Sequence, residues 1–129
     1  MPSSGSRTRI LAVDDDPVIL RLLSGLLVGA GYEVVGCTSA REASAALEAG
    51  GFSLLITDLH MPDGNGLDLT RNLRKHDERL PVILFSGSIA EETVRSAQDL
   101  GRVTCMSKPL DQEPFLRLVR EALAAADPG

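Results

Sequence analysis

Three acids in a row, Asp14, Asp15 and Asp16, follow the short apolar run "RILAV" at residues 9–13. Asp58 comes directly after "FSLLIT" (52–57), Ser86 ends "PVILFS" (81–86), and Lys108 follows "VTCMS" (103–107). Crowded carboxylates repel, so without a cation at least one should hold its proton more tightly than usual. A hard divalent ion removes that conflict. Mg²⁺ takes oxygen ligands, commonly one or two carboxylates together with a phosphate. A carboxylate is also a nucleophile toward phosphorus, and the product is an aspartyl phosphate. A hydroxyl and an ammonium beside it supply donors to phosphoryl oxygens. Together these residue types point to metal-assisted acceptance of a phosphoryl group on Asp58.

Residues so far apart in sequence need a fold that brings them to one place. The apolar runs at 9–13, 33–37, 52–57, 81–86 and 103–107 are short and continuous, as in strands buried on both faces. Between and after them, 18–31, 39–50, 66–76, 90–101 and 112–126 carry helical spacing or helix signals. Ser39 with Glu42 forms a capping box, Gly31, Gly50 and Gly101 close their helices, and Pro114 lies near a first turn. Five strands alternating with five helices over short connections predict an α/β fold, a doubly wound parallel sheet. In such sheets ligands bind at the carboxyl ends of the strands. Asp14, Asp15, Asp58, Ser86 and Lys108 all fall at strand ends. The chain reads as one domain at 9–126, preceded by a flexible tail at 1–8, with no internal repeat.

Composition narrows the function classes. The 129 residues carry a formal net charge of -5, which argues against nucleic acid or an anionic membrane as a direct partner of this domain. No apolar run approaches the roughly 18 residues of a transmembrane helix. The start, "MPSSGSRTR", has no apolar signal region, so the expected compartment is the cytoplasm. No G-x-G-x-x-G follows the first strand, which removes a dinucleotide-binding reading. "DGNGLD" (63–68) lacks the glycine and ligand positions of a calcium loop. Cys37 and Cys105 have no metal-ligand spacing.

The motifs "VDDDP" (13–17), "ITDLHMPDGNG" (56–66), "ILFSG" (83–87) and "KP" (108–109) occur in this order. The chain therefore resembles the receiver domain of two-component response regulators, over residues from about Arg9 to Ala126. The resemblance implies a flavodoxin-like receiver fold with strand order 2-1-3-4-5, an order the family exemplifies among doubly wound sheets. It implies Asp58 as phosphoacceptor, Ser86 as the hydroxyl that turns toward the phosphoryl group, and Lys108 as its cationic partner. It implies Mg²⁺ held by Asp15 directly, by Asp14 often through water, by Asp58, and by the backbone carbonyl of His60. Pro109 corresponds to a proline whose preceding peptide bond is usually cis. Asp16 stays outside the site, as an acid at a helix N-terminus. The implied donor is a histidine kinase or histidine phosphotransfer protein, acting in a phosphorelay. Downstream, the implied partner is a separate protein or an attached output domain. On strand order 2-1-3-4-5, Cys37 and Cys105 lie on opposite edges, four spacings or roughly 19 Å apart, too far for a disulfide.

The sequence also departs from the family pattern. Cys105 stands where receivers usually carry an aromatic residue three positions before the Lys. Asn65-Gly66 replaces the usual Asp-Gly, and Leu110 an often-found Phe. His60 and Ser88, each two residues past a site residue, occupy positions expected to set phosphoryl lifetime. A phosphohydrolase reading would need an acid where His60 stands. The protein is thus expected to be a self-dephosphorylating switch and not a turnover enzyme. The alternative is a receiver-like interaction scaffold that is never phosphorylated.

Overall fold

The computed structural model describes residues 8–77, 79–87, 90–108 and 111–126. In chain order the elements begin β1 (Arg9–Val13), α1 (Pro17–Gly29), β2 (Glu33–Cys37), α2 (Ala40–Ala49) and β3 (Leu54–Asp58). They continue β4 (His60–Met61), β5 (Gly64–Asn65), α3 (Gly66–Arg74), β6 (Val82–Ser86), α4 (Glu91–Leu100), β7 (Val103–Ser107) and α5 (Gln112–Ala126).

The main sheet is parallel, with order β2-β1-β3-β6-β7. Counting its five strands alone, this is the expected 2-1-3-4-5. Successive strand residues point to opposite faces, and both faces are covered. Leu11, Val13, Leu55, Val82 and Leu84 pack with Ala43 of α2, Leu69 and Leu73 of α3, and Ala97 of α4. Ile10, Leu54, Ile56, Ile83 and Phe85 pack on the other side with Leu23 and Leu27 of α1 and Phe115 and Val119 of α5. Fully burying each of the Leu, Ile, Val and Phe side chains among these contributes about 1.5–3 kcal/mol. The ends of β1, β3 and β6 are thereby fixed relative to one another.

Local chemistry moves several boundaries. β3 continues one residue further than its apolar run, because Asp58 keeps its register with Phe85 and the Leu59 amide donates to the Phe85 carbonyl at 2.9 Å. The acceptor candidate is therefore the last residue of a central strand. α1 starts at Pro17 because Asp16 is its N-cap, accepting from the Val18 amide at 2.9 Å. The same helix ends before Gly31, which turns the chain at φ 98°. At α2, Ser39 accepts from the Glu42 amide at 3.1 Å, as a capping box requires. The return arm differs: Glu42 reaches past Ser39 and accepts from the amide and hydroxyl of Thr38 at 2.9 and 2.8 Å. α3 stops at Arg74, two residues short of the expected end, with Lys75 as its C-cap. The two-residue strands β4 and β5 form a small antiparallel hairpin between β3 and α3 that the sequence pattern does not announce.

Cys37 closes β2 at one edge of the sheet, Cys105 lies on β7 at the other, and both are free thiols. Among the described residues, no helix is long and apolar enough to cross a membrane.

Candidate functional site

At the carboxyl edge of the sheet, β1, β3, β6 and β7 end side by side. Asp14 follows β1 and is fully buried. Its amide donates to the Cys37 carbonyl at 3.1 Å, and its Oδ1 accepts from the Asp16 amide at 2.8 Å. Its Oδ2 is buried and has no hydrogen-bond partner. Burial, above all, pushes the Asp14 carboxyl above the ordinary carboxylate value; the neighbouring Asp58 and Asp15 charges add to this, while the Asp16 amide and Lys108 oppose it. Asp15 is exposed beside it. Carboxylate oxygens of Asp14, Asp15 and Asp58 all lie within 4.8 Å of one another.

Asp58 is buried, 6% exposed. Its Oδ1 accepts from the His60 amide at 3.2 Å, which sets the carboxylate against the start of the hairpin. The hairpin is itself tied down. The Gly66 amide donates to the Leu59 carbonyl at 2.8 Å. A Cβ on Gly66 would stand 2.5 Å from the Asp58 carbonyl oxygen and 2.9 Å from Leu84, so glycine alone lets α3 begin this close to β3. Asn65 caps α3, accepting from the Asp68 amide at 2.8 Å. Asp63, at the hairpin turn, reaches across to α2: its two oxygens accept from the amides of Ala40 and Arg41 at 2.9 and 3.0 Å. Those two bonds hold the exposed Asp63 carboxyl below its ordinary value.

Ser86 ends β6 one residue beyond the Asp58 partner Phe85 and is 3% exposed. Its carbonyl accepts from the Lys108 amide at 2.8 Å, which fixes the backbone that carries the lysine. The Lys108 ammonium lies 3.5 Å from Asp14 Oδ2 and 3.5 Å from Asp58 Oδ2. One cation thus faces two carboxylates, and the third, Asp15, lies at the open side.

The donor set fits a hard divalent cation. Every donor in the cluster is a carboxylate oxygen, and the Asp14 Oδ2 atom is buried without a hydrogen-bond donor. Octahedral Mg²⁺ places its oxygens at most about 4.2 Å apart, inside the span of the cluster. The fold brings Asp14, Asp15, Asp58 and Lys108 together, sets the His60 backbone against Asp58, and puts Ser86 at the adjoining strand end. Asp16 caps α1 and takes no place in the cluster, as read from the sequence. Pro109, Leu110 and Ser88 lie outside the described residues. Cys105 is half-buried against the α2, α3 and α4 side of the core. The sequence reading missed Asp63. Its partners lie 22 and 23 residues away, and its only local signal is the Asp-Gly turn.

This fold with this edge defines a class. The family model of the response regulator receiver domain matches residues 10–120, and the chain belongs to that family. It is 32% identical over 121 residues to the transcriptional regulatory protein GlrR of Escherichia coli (strain K12), covering 92% of this chain and 27% of that protein. The chain spans half or less of the length of the curated relatives it matches. Among solved structures, a CheY-like response regulator receiver domain protein from Methanospirillum hungatei JF-1 is 30% identical with a TM-score of 0.90, over 94% of this chain and 97% of that one. The beryllofluoride-activated NtrC4 receiver domain dimer is 28% identical with a TM-score of 0.86, over 92% and 98%. Receiver domains of this kind are signalling switches of two-component systems and not turnover enzymes.

Proposed function

We propose that residues 9–126 form a phosphoacceptor switch in which Asp58 takes a phosphoryl group in a Mg²⁺-dependent reaction. The observation that carries this reading is the single edge at which Asp14, Asp15, Asp58 and Lys108 meet, with three carboxylates within 4.8 Å and one ammonium 3.5 Å from two of them. Asp14, Asp15 and Asp58, with the backbone carbonyl of His60, would hold the ion. Mg²⁺ there would neutralise charge on the acid cluster and on the transferred group.

The chain's own residues do the rest. The β3 terminus and the hairpin hold the Asp58 carboxylate still. An Asp58 oxygen forms a bond to phosphorus as the donor's bond to phosphorus breaks, and the leaving group departs with that electron pair. The product adds roughly -1.5 to -2 of charge and three acceptor oxygens. Lys108, already beside the Asp58 carboxylate, pairs with them, and the Ser86 hydroxyl donates to them. Their engagement biases the segment from Gly87 into α4. Water then hydrolyses the acyl phosphate. The exposed His60 side chain sets part of that rate, so His60→Ala should change the phosphoryl half-life.

The donor is a histidine kinase or a histidine phosphotransfer protein. Val18 and Leu22, 70% and 47% exposed on the first turns of α1, give it an apolar surface beside the acid pair. The output passes to a downstream protein or an attached domain. With Cys105 in place of an aromatic residue, the signal runs through Ser86 and α4 without a swinging ring on β7. The test is intact mass after incubation with acetyl phosphate and Mg²⁺. Wild-type protein should gain one phosphoryl group, and Asp58→Asn, or wild type without Mg²⁺, should gain none. A protein that binds Mg²⁺ and gains nothing, with its kinase or with the small donor, is the interaction scaffold instead.

A further inference from the structure

One aromatic ring lies directly against the charged residues. The Phe85 ring is fully buried, and the Lys108 ammonium sits 5.1 Å from its centroid, within cation–π range. Phe85 also meets Asp58 through the backbone: the two are register partners on β6 and β3, and the Phe85 carbonyl accepts from the Leu59 amide at 2.9 Å. The residue after it, Ser86, accepts from the Lys108 amide through its carbonyl. One strand segment therefore fixes the acceptor's strand end, the lysine's backbone and the floor under the lysine's head group.

We infer that Phe85 is a positioning residue for phosphoryl transfer: its ring holds the Lys108 ammonium over the acid edge, at the place where the phosphoryl oxygens of Asp58 arrive. This rests on the phosphoacceptor reading. The physical reason lies in the alternatives open to the lysine. Its side chain is about a quarter exposed, and its contacts to Asp14 and Asp58, at 3.5 Å each, are longer than a direct charge-assisted hydrogen bond. A long flexible stem with two loose partners samples solvent freely. The electron-rich face of a buried ring attracts the ammonium without competing for its hydrogens, so it keeps the head group near while leaving its donors for oxygen. An aliphatic residue in this place would bury apolar surface but supply none of this attraction.

The test separates ring electronics from ring shape. Phenylalanine at position 85 is replaced by its mono-, di- and trifluorinated forms, which keep the shape and progressively remove the negative face, beside Phe85→Leu. Two quantities are read: the ring-current shift of the Lys108 ε-methylene protons in Mg²⁺-free protein, and the rate of Asp58 phosphorylation by acetyl phosphate at saturating Mg²⁺. The expected result is an upfield-shifted ε-methylene in wild type that moves to its free position in Phe85→Leu. The transfer rate should fall stepwise along the fluorinated series, to about one-fifth for the trifluoro form, with Mg²⁺ affinity unchanged within about twofold. An ε-methylene at its free position in wild type overturns the inference. So does a rate indifferent to fluorination. An upfield shift in a wild-type protein that takes up no phosphoryl group overturns the phosphoacceptor reading, and with it the transfer role, while the placement of the lysine stands.

Discussion

Two helices start from the same edge of the sheet, and their described starts are built differently. The link from β3 to α3 is tied at almost every residue: His60 to the Asp58 carboxylate, Gly66 to Leu59, Asn65 to the start of α3, and Asp63 across to α2. α4, by contrast, begins after Ala90 with no side-chain cap. The far end of α4 is pinned, because the Arg74 guanidinium donates to the Leu100 carbonyl at 3.2 Å and to Gly101 at 2.8 Å. Asp58 therefore sits beside a support tied at several residues, while α4 is pinned at its far end and begins after Ala90 with no side-chain cap. In the proposed switch, the first side would hold the chemistry in place and the second would carry a change of population.

The sharpest way to break the comparison is to put the same methyl group on each connection. Gly66→Ala forces a Cβ to 2.5 Å from the Asp58 carbonyl oxygen, and backbone cannot yield as a side chain can. We expect a loss of about 3 kcal/mol in urea unfolding and a collapse of the phosphorylation rate. Gly87→Ala meets nothing within 4 Å and should stay within about 0.5 kcal/mol of wild type. Equal costs at the two positions would remove the distinction.

The next effect belongs to the acid edge itself. Asp14→Asn removes a buried charge whose Oδ2 has no hydrogen-bond partner, and should stabilise the Mg²⁺-free protein at neutral pH by on the order of 1 kcal/mol. The sign follows from the raised carboxyl. The folded chain holds that proton more tightly than the unfolded chain, so wild type gains stability as pH falls through the raised value toward the ordinary one. It loses that contribution as pH rises. The gap between variant and wild type should therefore close in acid. Thermal unfolding of both proteins across that range checks it, and a gap that widens in acid contradicts the account.

How much of this was legible in the sequence depends on what each residue follows. Asp14, Asp58, Ser86 and Lys108 stand out because each is a polar residue at the end of an apolar run, and a parallel sheet gathers such ends at one edge. The strand order came from resemblance and not from any residue pattern. Asp58 was placed just beyond its strand because a carboxylate does not look like strand; its register with Phe85 decides otherwise. The hairpin was invisible, since two-residue strands carry no periodicity. Asp63 carries no local signal beyond an Asp-Gly dipeptide, because its partners belong to another helix. Phe85 looked like core, and is core; its second contact depends on where Lys108 comes to rest.

Two smaller effects sharpen the picture. Ser86→Ala should leave phosphoryl uptake largely intact but reduce the amide shift changes that beryllium fluoride and Mg²⁺ produce in α4. Unchanged α4 shifts would remove Ser86 from the relay. Asp63→Ala frees the hairpin from α2 and should lower the melting temperature slightly and the phosphorylation rate modestly. Because its carboxyl is held low by two amides, its contribution is present above the ordinary carboxylate value and is lost as pH falls through the lowered one. A melting-temperature difference that persists in strong acid would show that the carboxylate bonds are not its source.

The most direct measurement maps the modified residue. Protein treated with acetyl phosphate and Mg²⁺ is reduced with borohydride, which converts an aspartyl phosphate to homoserine, and is then digested and sequenced by mass spectrometry. The account predicts homoserine at position 58, dependent on Mg²⁺ and absent elsewhere. Homoserine at position 14 or 15, or at no aspartate, would contradict it.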